Sequence, residues 1–358
     1  MAATIPPISG PAGPQLETLS HLVGNTSMLA LHMRVEGREL TVFAKNEMAN
    51  FTGSIKDRMA LHILREAYAS GAIKPGDTIV EATSGNTGIA FAGIGRALGH
   101  PVRILMPDWM SRERVLVIQS LGATVVPVSA EEGGFLGSIA QAEAYAQEHP
   151  HVFLPQQFAN EANVHAHAET TGPEIVAQLQ AIGHRPTAFV AGVGTGGTVM
   201  GVGQHIRAAV PEATVHPLEP ANSPTLRTGH KVGKHRIQGI SDEFIPSIVD
   251  LESLDSIVDV WDGDAILMAQ KLARSCGLPV GISSGANLVG ALKIALEQDE
   301  DAVVVTVFAD CNKKYLSTDY CRDEPPRDDY LTPEVELLGF QVVEPACIGC
   351  TGAPLTRV

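Results

Sequence analysis

The sequence has few cysteines and no long apolar run. Its five cysteines are scattered and odd in number, so they do not form a disulfide framework, which favours a reducing compartment. No apolar segment approaches the roughly 20 residues that span a bilayer. The first charged residue is Glu17, so the basic start typical of a signal peptide is missing. We therefore expect a cytoplasmic protein.

Positive charge is also scarce. The formal net charge is −15, which would repel nucleic-acid phosphates and anionic lipid headgroups. Nucleic acid and membranes are therefore not expected as partners.

The remaining composition is that of a globular enzyme. Hydrophobic residues make up 44% of the 358 positions and charged residues 18%, enough to bury one large core or two joined cores. β-Branched runs at 78–80, 102–106, 124–128, 188–191, 214–218 and 302–308 alternate with helix-like segments. Segments 58–70 and 265–275 end at Gly71 and Gly277. This alternation predicts an α/β fold whose ligands bind at the carboxyl ends of parallel strands.

The first of four motifs is Asn50-Phe51-Thr52-Gly53-Ser54-Ile55-Lys56-Asp57-Arg58, which leads into a helix. Lys56 therefore lies near a helix N-terminus, where a cation opposes the helix macrodipole. An isolated lysine is usually solvated, but this position and burial would lower the pKa of a Schiff-base lysine. Lys56 is our first candidate catalytic residue.

The second motif, Glu81-Ala82-Thr83-Ser84-Gly85-Asn86-Thr87-Gly88, ends a strand and starts a helix of small residues. Its turn directs several backbone N–H groups and three hydroxyls at one point, which suits a carboxylate. A simple helix cap needs only one Ser or Thr. The density of donors therefore favours an anion site.

The third motif, Gly192-Val193-Gly194-Thr195-Gly196-Gly197-Thr198, contains a G-x-G-x-x-G pattern. That pattern is compatible with a dinucleotide site, with Glu212 or Glu219 as the acid that binds the ribose. The same glycines with Thr195 and Thr198 would equally cradle one phosphate monoester. A NAD-binding dehydrogenase and a single-phosphate cofactor enzyme both remain open from this loop. The fourth motif, Gly281-Ile282-Ser283-Ser284-Gly285-Ala286-Asn287, predicts by itself only a helix start.

Together the four motifs resemble the fold-type II pyridoxal-phosphate (PLP) enzymes of the cysteine synthase and cystathionine β-synthase family. The resemblance extends from about Leu22 to Phe308 and includes Gln156-Gln157-Phe158-Ala159-Asn160. It implies two open, twisted, mostly parallel α/β domains of the tryptophan synthase β-like fold, with PLP in the cleft between them, and usually a homodimer.

The resemblance also implies domain bounds. The larger, PLP-phosphate-binding domain would comprise 1–49 and 158–345, with a flexible arm at 1–14 and a tail at 346–358. The smaller, substrate-carboxylate-binding domain would comprise 50–157.

Individual residues acquire implied roles from the same resemblance. Lys56 would bind PLP covalently and remove the substrate's α-proton. The residues implied in cofactor binding are Lys56, Asn86 at the ring hydroxyl, Gly194, Thr195, Gly196, Gly197 and Thr198 at the phosphate, and Ser283 at the pyridine nitrogen. Those implied in substrate binding are Thr83, Ser84, Gly85, Thr87, Gln157 and Gly239.

A neutral Ser283 opposite the pyridine nitrogen would leave the ring a weak electron sink, which favours loss of a β-substituent over transamination. The expected reaction is β-replacement through an aminoacrylate, as in cysteine formation from O-acetylserine and sulfide. The expected partners are thus a small amino acid and sulfide or another small nucleophile.

The loop Gln238-Gly239-Ile240-Ser241-Asp242-Glu243-Phe244-Ile245-Pro246 departs from the neutral loop of cysteine synthases. Two acids on an acidic protein are ordinarily a solvated rim. By the resemblance, however, this loop lies near the substrate's β-carbon, where a carboxylate would disfavour a sulfide anion and could deprotonate water or a thiol. Asp242, nearer Gly239, is our second candidate catalytic residue. It would favour sulfide release from cysteine or the joining of two amino acids.

No metal site is expected. The lone pair Cys347 and Cys350 has no second pair at ligand spacing. The histidines His149, His151, His165 and His167 have no carboxylate–cysteine set nearby in the sequence, so exposed loop or helix-end positions are predicted for them.

Overall fold

The chain folds around two separate β-sheets, which the computed structural model describes for residues 12–241 and 243–346. The helices and strands, in chain order, are α1 (Gly13–Ser20), β1 (Met28–Val35), β2 (Arg38–Asn46), α2 (Lys56–Ser70), β3 (Thr78–Ala82), α3 (Asn86–Ala97), β4 (Val102–Pro107), α4 (Arg112–Ser120), β5 (Thr124–Val128), α5 (Gly134–Glu148), β6 (Val152–Phe153), α6 (Ala162–Ala166), α7 (Gly172–Ala181), β7 (Ala188–Gly192), α8 (Gly197–Ala209), β8 (Thr214–Pro220), α9 (Thr225–Thr228), β9 (Val258–Val260), α10 (Asp262–Cys276), α11 (Ile282–Glu297), β10 (Val304–Phe308) and β11 (Val335–Val343). Asp242, Cys347, Cys350 and positions 1–11 of the predicted arm lie outside the described residues.

The larger sheet has seven strands in the order β11-β1-β2-β10-β7-β8-β9, and the smaller has four in the order β5-β4-β3-β6. All pairs in the smaller sheet are parallel, as are those from β2 to β9 in the larger. Within the described residues, antiparallel pairing between named strands is confined to one edge, where β1 pairs with β2 and β11. The predicted α/β fold with two mostly parallel sheets is confirmed.

Each sheet has its own hydrophobic core. Helices α10 and α11 pack on one face of the seven-stranded sheet, and α7 and α8 on the other. Leu16 and Leu19 of α1 pack with α2 and α3 in the cluster of the four-stranded sheet. The domain bounds inferred from the sequence stay a prediction.

Local stop signals define the predicted helices. Helix α2 ends at Gly71 with φ 75° and α10 at Gly277 with φ 67°, the left-handed conformation that glycine adopts readily.

Among the helices of the described ranges, none is long and apolar enough to cross a membrane.

A buried cluster of four charged side chains fixes the start of α2. Arg58 lies 2.5 Å from Glu47 and 2.7 Å from Glu174, and the Lys45 amine lies 2.8 Å from Glu174. Burial alone would raise the pKa of Glu174, but Arg58 and Lys45 lower it to about 2. Two cations thus balance two carboxylates and join β2, α2 and α7.

We expect Arg58→Met to lower the free energy of unfolding of the holoenzyme by about 3–5 kcal/mol, because it leaves two buried carboxylates with one cation. Urea denaturation is the measurement. The control is Arg34→Met, which removes exposed pairs with Glu39 and Glu336 and should cost about 1 kcal/mol or less. Equal losses in the two variants would contradict a special role for the buried cluster.

Candidate active site

One cleft collects the side chains of all four motifs at the carboxyl ends of β3, β7 and β10. The empty space of the cleft, counted together with the open solvent at its mouth, is about 800 Å³. The predicted residues that line it are Lys56, Thr83, Ser84, Asn86, Thr87, Gln157, Gly194, Thr195, Gly196, Thr198, Gly239 and Ser283. Gly85 and Gly197 belong to the same turns but pack against Arg114 and Asn163.

Lys56 is the first residue of α2 and is half-buried in the cleft. The loop before it is attached to the larger sheet, because the Ile55 N–H donates to the Ala309 carbonyl at 2.9 Å. Asp57 accepts hydrogen bonds from the Thr52 N–H at 2.7 Å and the Thr52 hydroxyl at 2.5 Å. Burial raises the pKa of Asp57 to about 6. The backbone around Lys56 is therefore fixed on both sides.

The turn after β3 forms one unit with Gln157. The Thr87 hydroxyl donates to Gln157 Oε1 at 2.6 Å, although the two residues are 70 positions apart. Gln157 Nε2 donates to the Ala82 carbonyl at 2.8 Å, and its backbone N–H donates to Glu81 at 3.2 Å. Burial raises the pKa of Glu81 to about 7. The two predicted parts of the carboxylate site are thus brought together.

The glycine loop between β7 and α8 contacts the loop at 238–241. A Cβ on Gly194 would lie 2.4 Å from the Gly239 carbonyl oxygen, so this close approach requires glycine. Asn163 Nδ2 donates to the Thr195 hydroxyl at 2.8 Å. The start of α8 and the hydroxyls of Thr195 and Thr198 place hydrogen-bond donors together at the cleft, an arrangement that suits an anion.

His167 lies behind this loop and corrects the sequence-based prediction. It is buried, with Nε2 3.3 Å from the Thr198 hydroxyl and Nδ1 2.8 Å from the Thr171 hydroxyl. Burial, followed by the charges of Lys56 and Arg58, lowers its pKa well below the usual value. The imidazole is therefore neutral. His149, His151 and His165 are exposed, as predicted.

The cleft has the donor set that PLP needs. It combines a lysine amine, a glycine-rich loop with the hydroxyls of Thr195 and Thr198, and Ser283 in the first turn of α11. Asn86 donates from Nδ2 to Asp310 Oδ2 at 2.8 Å. Its Oδ1 is buried and has no hydrogen-bond partner among residues 12–241 and 243–346. An orphaned buried amide oxygen retains hydrogen-bonding capacity for a ligand. These residues fit the cofactor.

Several lining residues were not predicted from the sequence. Arg114 is 2% exposed, and its guanidinium lies 4.6 Å from the ring centroid of Tyr315. A helical arginine carries no sequence signal of burial. Asn287 links three elements, accepting from the Gly192 N–H and donating to the Val307 carbonyl, both at 2.8 Å. Its position in the fourth sequence motif could have indicated that Asn287 lies at the cleft. The others are Ile55, Phe135, Phe158, Gly192, Gln238, Ile240, Val307 and Ala309.

Comparison with known proteins matches the family model described as pyridoxal-phosphate dependent enzyme over residues 19–310. A probable cysteine synthase of Bacillus subtilis is 41% identical over 298 residues, 83% of this chain and 95% of that protein. The solved structure of a hydrogen sulfide-producing enzyme from Fusobacterium nucleatum is 54% identical, with a TM-score of 0.89, over 92% of this chain and 99% of that chain.

An aspartate-to-asparagine variant of a hydrogen sulfide-producing enzyme, in complex with an α-aminoacrylate intermediate, is 55% identical with a TM-score of 0.89. The match covers 90% of this chain and 97% of that chain. The protein belongs to the cysteine synthase family of fold-type II pyridoxal-phosphate dependent enzymes.

Proposed function

We propose that the protein catalyses β-replacement on a serine-derived amino acid, with O-acetylserine and sulfide giving cysteine. The observation that carries this proposal is that Lys56, the carboxylate turn and the phosphate loop line one cleft. The cysteine synthase relatives, at 40–41% identity, support the same reaction.

The carboxylate turn, formed by Thr83 to Thr87, and Gln157 bind the substrate's carboxylate through backbone N–H groups and hydroxyls. They belong to the four-stranded sheet, whereas the phosphate loop Gly194–Thr198 belongs to the seven-stranded sheet. This division supports our assignment of 50–157 as the substrate domain and of 1–49 with 158–345 as the cofactor domain.

The amine of Lys56 holds the cofactor and then removes the proton from the substrate's α-carbon. Asn86 and Ser283, which line the same cleft, would hold the cofactor's ring. Bound PLP supplies the electron sink that lets the β-substituent leave. Phe135 and Phe158, whose rings meet edge to face at 5.7 Å, provide an apolar wall that limits water beside the reacting carbon.

Sulfide release from cysteine is the second candidate function. The 54% identity to a hydrogen sulfide-producing enzyme favours it. The loop that contains Asp242 in sequence lines the cleft at Gln238, Gly239 and Ile240. The Ser241 N–H donates to the Val193 carbonyl at 2.7 Å. A hydrogen sulfide-producing relative has been solved as an aspartate-to-asparagine variant in complex with an α-aminoacrylate intermediate. This complex supports an aspartate as the group that activates the attacking water or thiol.

Glu243 is less suited to that role, because its carboxylate lies 2.9 Å from the Lys231 amine at the surface. Asp242 itself lies outside the described residues. Our assignment of Asp242 rests on its sequence position and on the loop around it.

We also propose a homodimer in the cytoplasm. Strand β11 is the edge of the larger sheet and exposes Leu338, Phe340 and Val342, an apolar edge that a second chain would cover. Cys276, Cys311 and Cys321 form no disulfide within residues 12–241 and 243–346, which supports a reducing compartment.

For the cofactor role, we expect Lys56→Ala to lower the rate of cysteine formation by more than roughly 10³-fold, because the amine is the α-proton base. The visible absorbance of lysine-bound PLP should vanish. The matched control is Lys74→Ala, which replaces an exposed lysine and should keep both the rate of cysteine formation and the visible absorbance. Wild-type-like absorbance in Lys56→Ala, or NAD reduction by a colourless wild-type protein, would overturn the assignment.

The reaction is identified by assaying O-acetylserine, O-phosphoserine, serine and cysteine, each with and without sulfide. We expect Asp242→Asn to slow sulfide release from cysteine by roughly 10²-fold or more, because the general base is lost. Cysteine formation from O-acetylserine and sulfide should be retained. Glu243→Gln is the matched control, with small effects on both rates. Equal, small changes for Asp242→Asn would identify the loop as a charged rim and leave cysteine synthase as the function.

A further inference from the structure

Two histidines and a glutamate meet outside the cleft, where α2 packs against α6. His62 and Glu66 are four residues apart on α2, so their side chains lie on one face of the helix. His165 comes from α6, 99 positions from Glu66. None of the three lines the cleft described above.

Two of the three distances are close to those between ligands of one metal ion. Glu66 Oε1 lies 3.0 Å from His62 Nε2 and 3.1 Å from His165 Nδ1. One ligand atom from each residue lies within 4.8 Å of the others. Ligands at about 2.0–2.1 Å from a zinc ion are about 3.3 Å apart in a tetrahedral site. Small side-chain movements would therefore suffice to admit an ion among the three atoms.

We propose that His62, Glu66 and His165 form a binding site for a divalent transition metal of the zinc class. Two imidazole nitrogens and a carboxylate oxygen are ligands that zinc accepts, and one position is left for water. The side chain of His62 is 8% exposed, that of Glu66 38% and that of His165 49%. The ion can therefore enter from solvent while one ligand is held by the core.

The position of the site gives the metal a structural consequence. Helix α2 begins with Lys56, and α6 leads through a π-helical turn that starts at His167, the neutral imidazole behind the phosphate loop. A metal bound between His62 and His165 would hold these two helices together. It would therefore stabilise the side of the cleft that supports the lysine and the phosphate loop.

The experiment uses the PLP-loaded enzyme, treated with a chelator and titrated with zinc chloride by calorimetry. We expect one zinc ion bound per chain through this site and a higher melting temperature with zinc. His165→Ala and Glu66→Gln should each weaken binding by at least about 10-fold and remove the temperature shift, because each removes a ligand. His149→Ala, another exposed histidine, is the matched control and should bind as the wild type does.

His165 is exposed, so circular dichroism should show the His165→Ala variant folded. The double variant Cys347→Ser/Cys350→Ser tests the other plausible ligands. Undiminished zinc binding in His165→Ala and Glu66→Gln, with loss in the cysteine variant, would overturn the proposal. So would absence of zinc binding in the wild type, which would leave Glu66 as an acceptor of two imidazole hydrogen bonds. With cobalt, absence of thiolate charge-transfer absorption supports nitrogen and oxygen ligands.

Discussion

The buried guanidinium of Arg58 requires β2, α2 and α7 to occupy one arrangement. Its hydrogen bonds reach Glu47 before α2 and Glu174 on α7, at distances between 2.5 and 2.8 Å. Separating any of these groups would leave an unpaired charge in the interior, at a cost of several kcal/mol. Because Lys56 is two residues before Arg58 on α2, this constraint also positions the backbone that carries the proposed catalytic amine.

Sequence signals predicted the parts of the fold that depend on neighbouring residues. Glycines after helices, such as Gly71, and hydroxyl-rich turns after strands, such as that at Thr83, act through backbone conformation within a few positions. The chain therefore indicated where the strands end and which turns line the cleft. The parallel arrangement then brings those turns to the same edge of each sheet.

Features that depend on distant contacts had no comparable signal. Arg114 and His167 are polar residues on helices, and only the elements packed over them make them buried. Strand β1 was not predicted because Met28–Val35 contains a single β-branched residue, Val35. It therefore lacks a β-branched run such as that of β10, which the sequence did indicate. Glu66 and His165 face each other only because α2 packs against α6.

The two halves of the cleft belong to different sheets, so the chemistry depends on how firmly those sheets are joined. The segment after β10 makes that connection. Its Asp310 accepts from Asn86 of α3 and from the Tyr315 hydroxyl, each at 2.8 Å, and the Ser111 hydroxyl donates to the Lys314 carbonyl at 2.9 Å.

Burial, together with the charge of Asp310, raises the pKa of Tyr315 well above its usual value, so its phenol stays protonated and keeps donating. Reacting groups need alignment within a fraction of an ångström. Asn86 is the proposed partner of the cofactor's ring. Its orientation is set by the Asp310 carboxylate, which also helps to connect the two sheets.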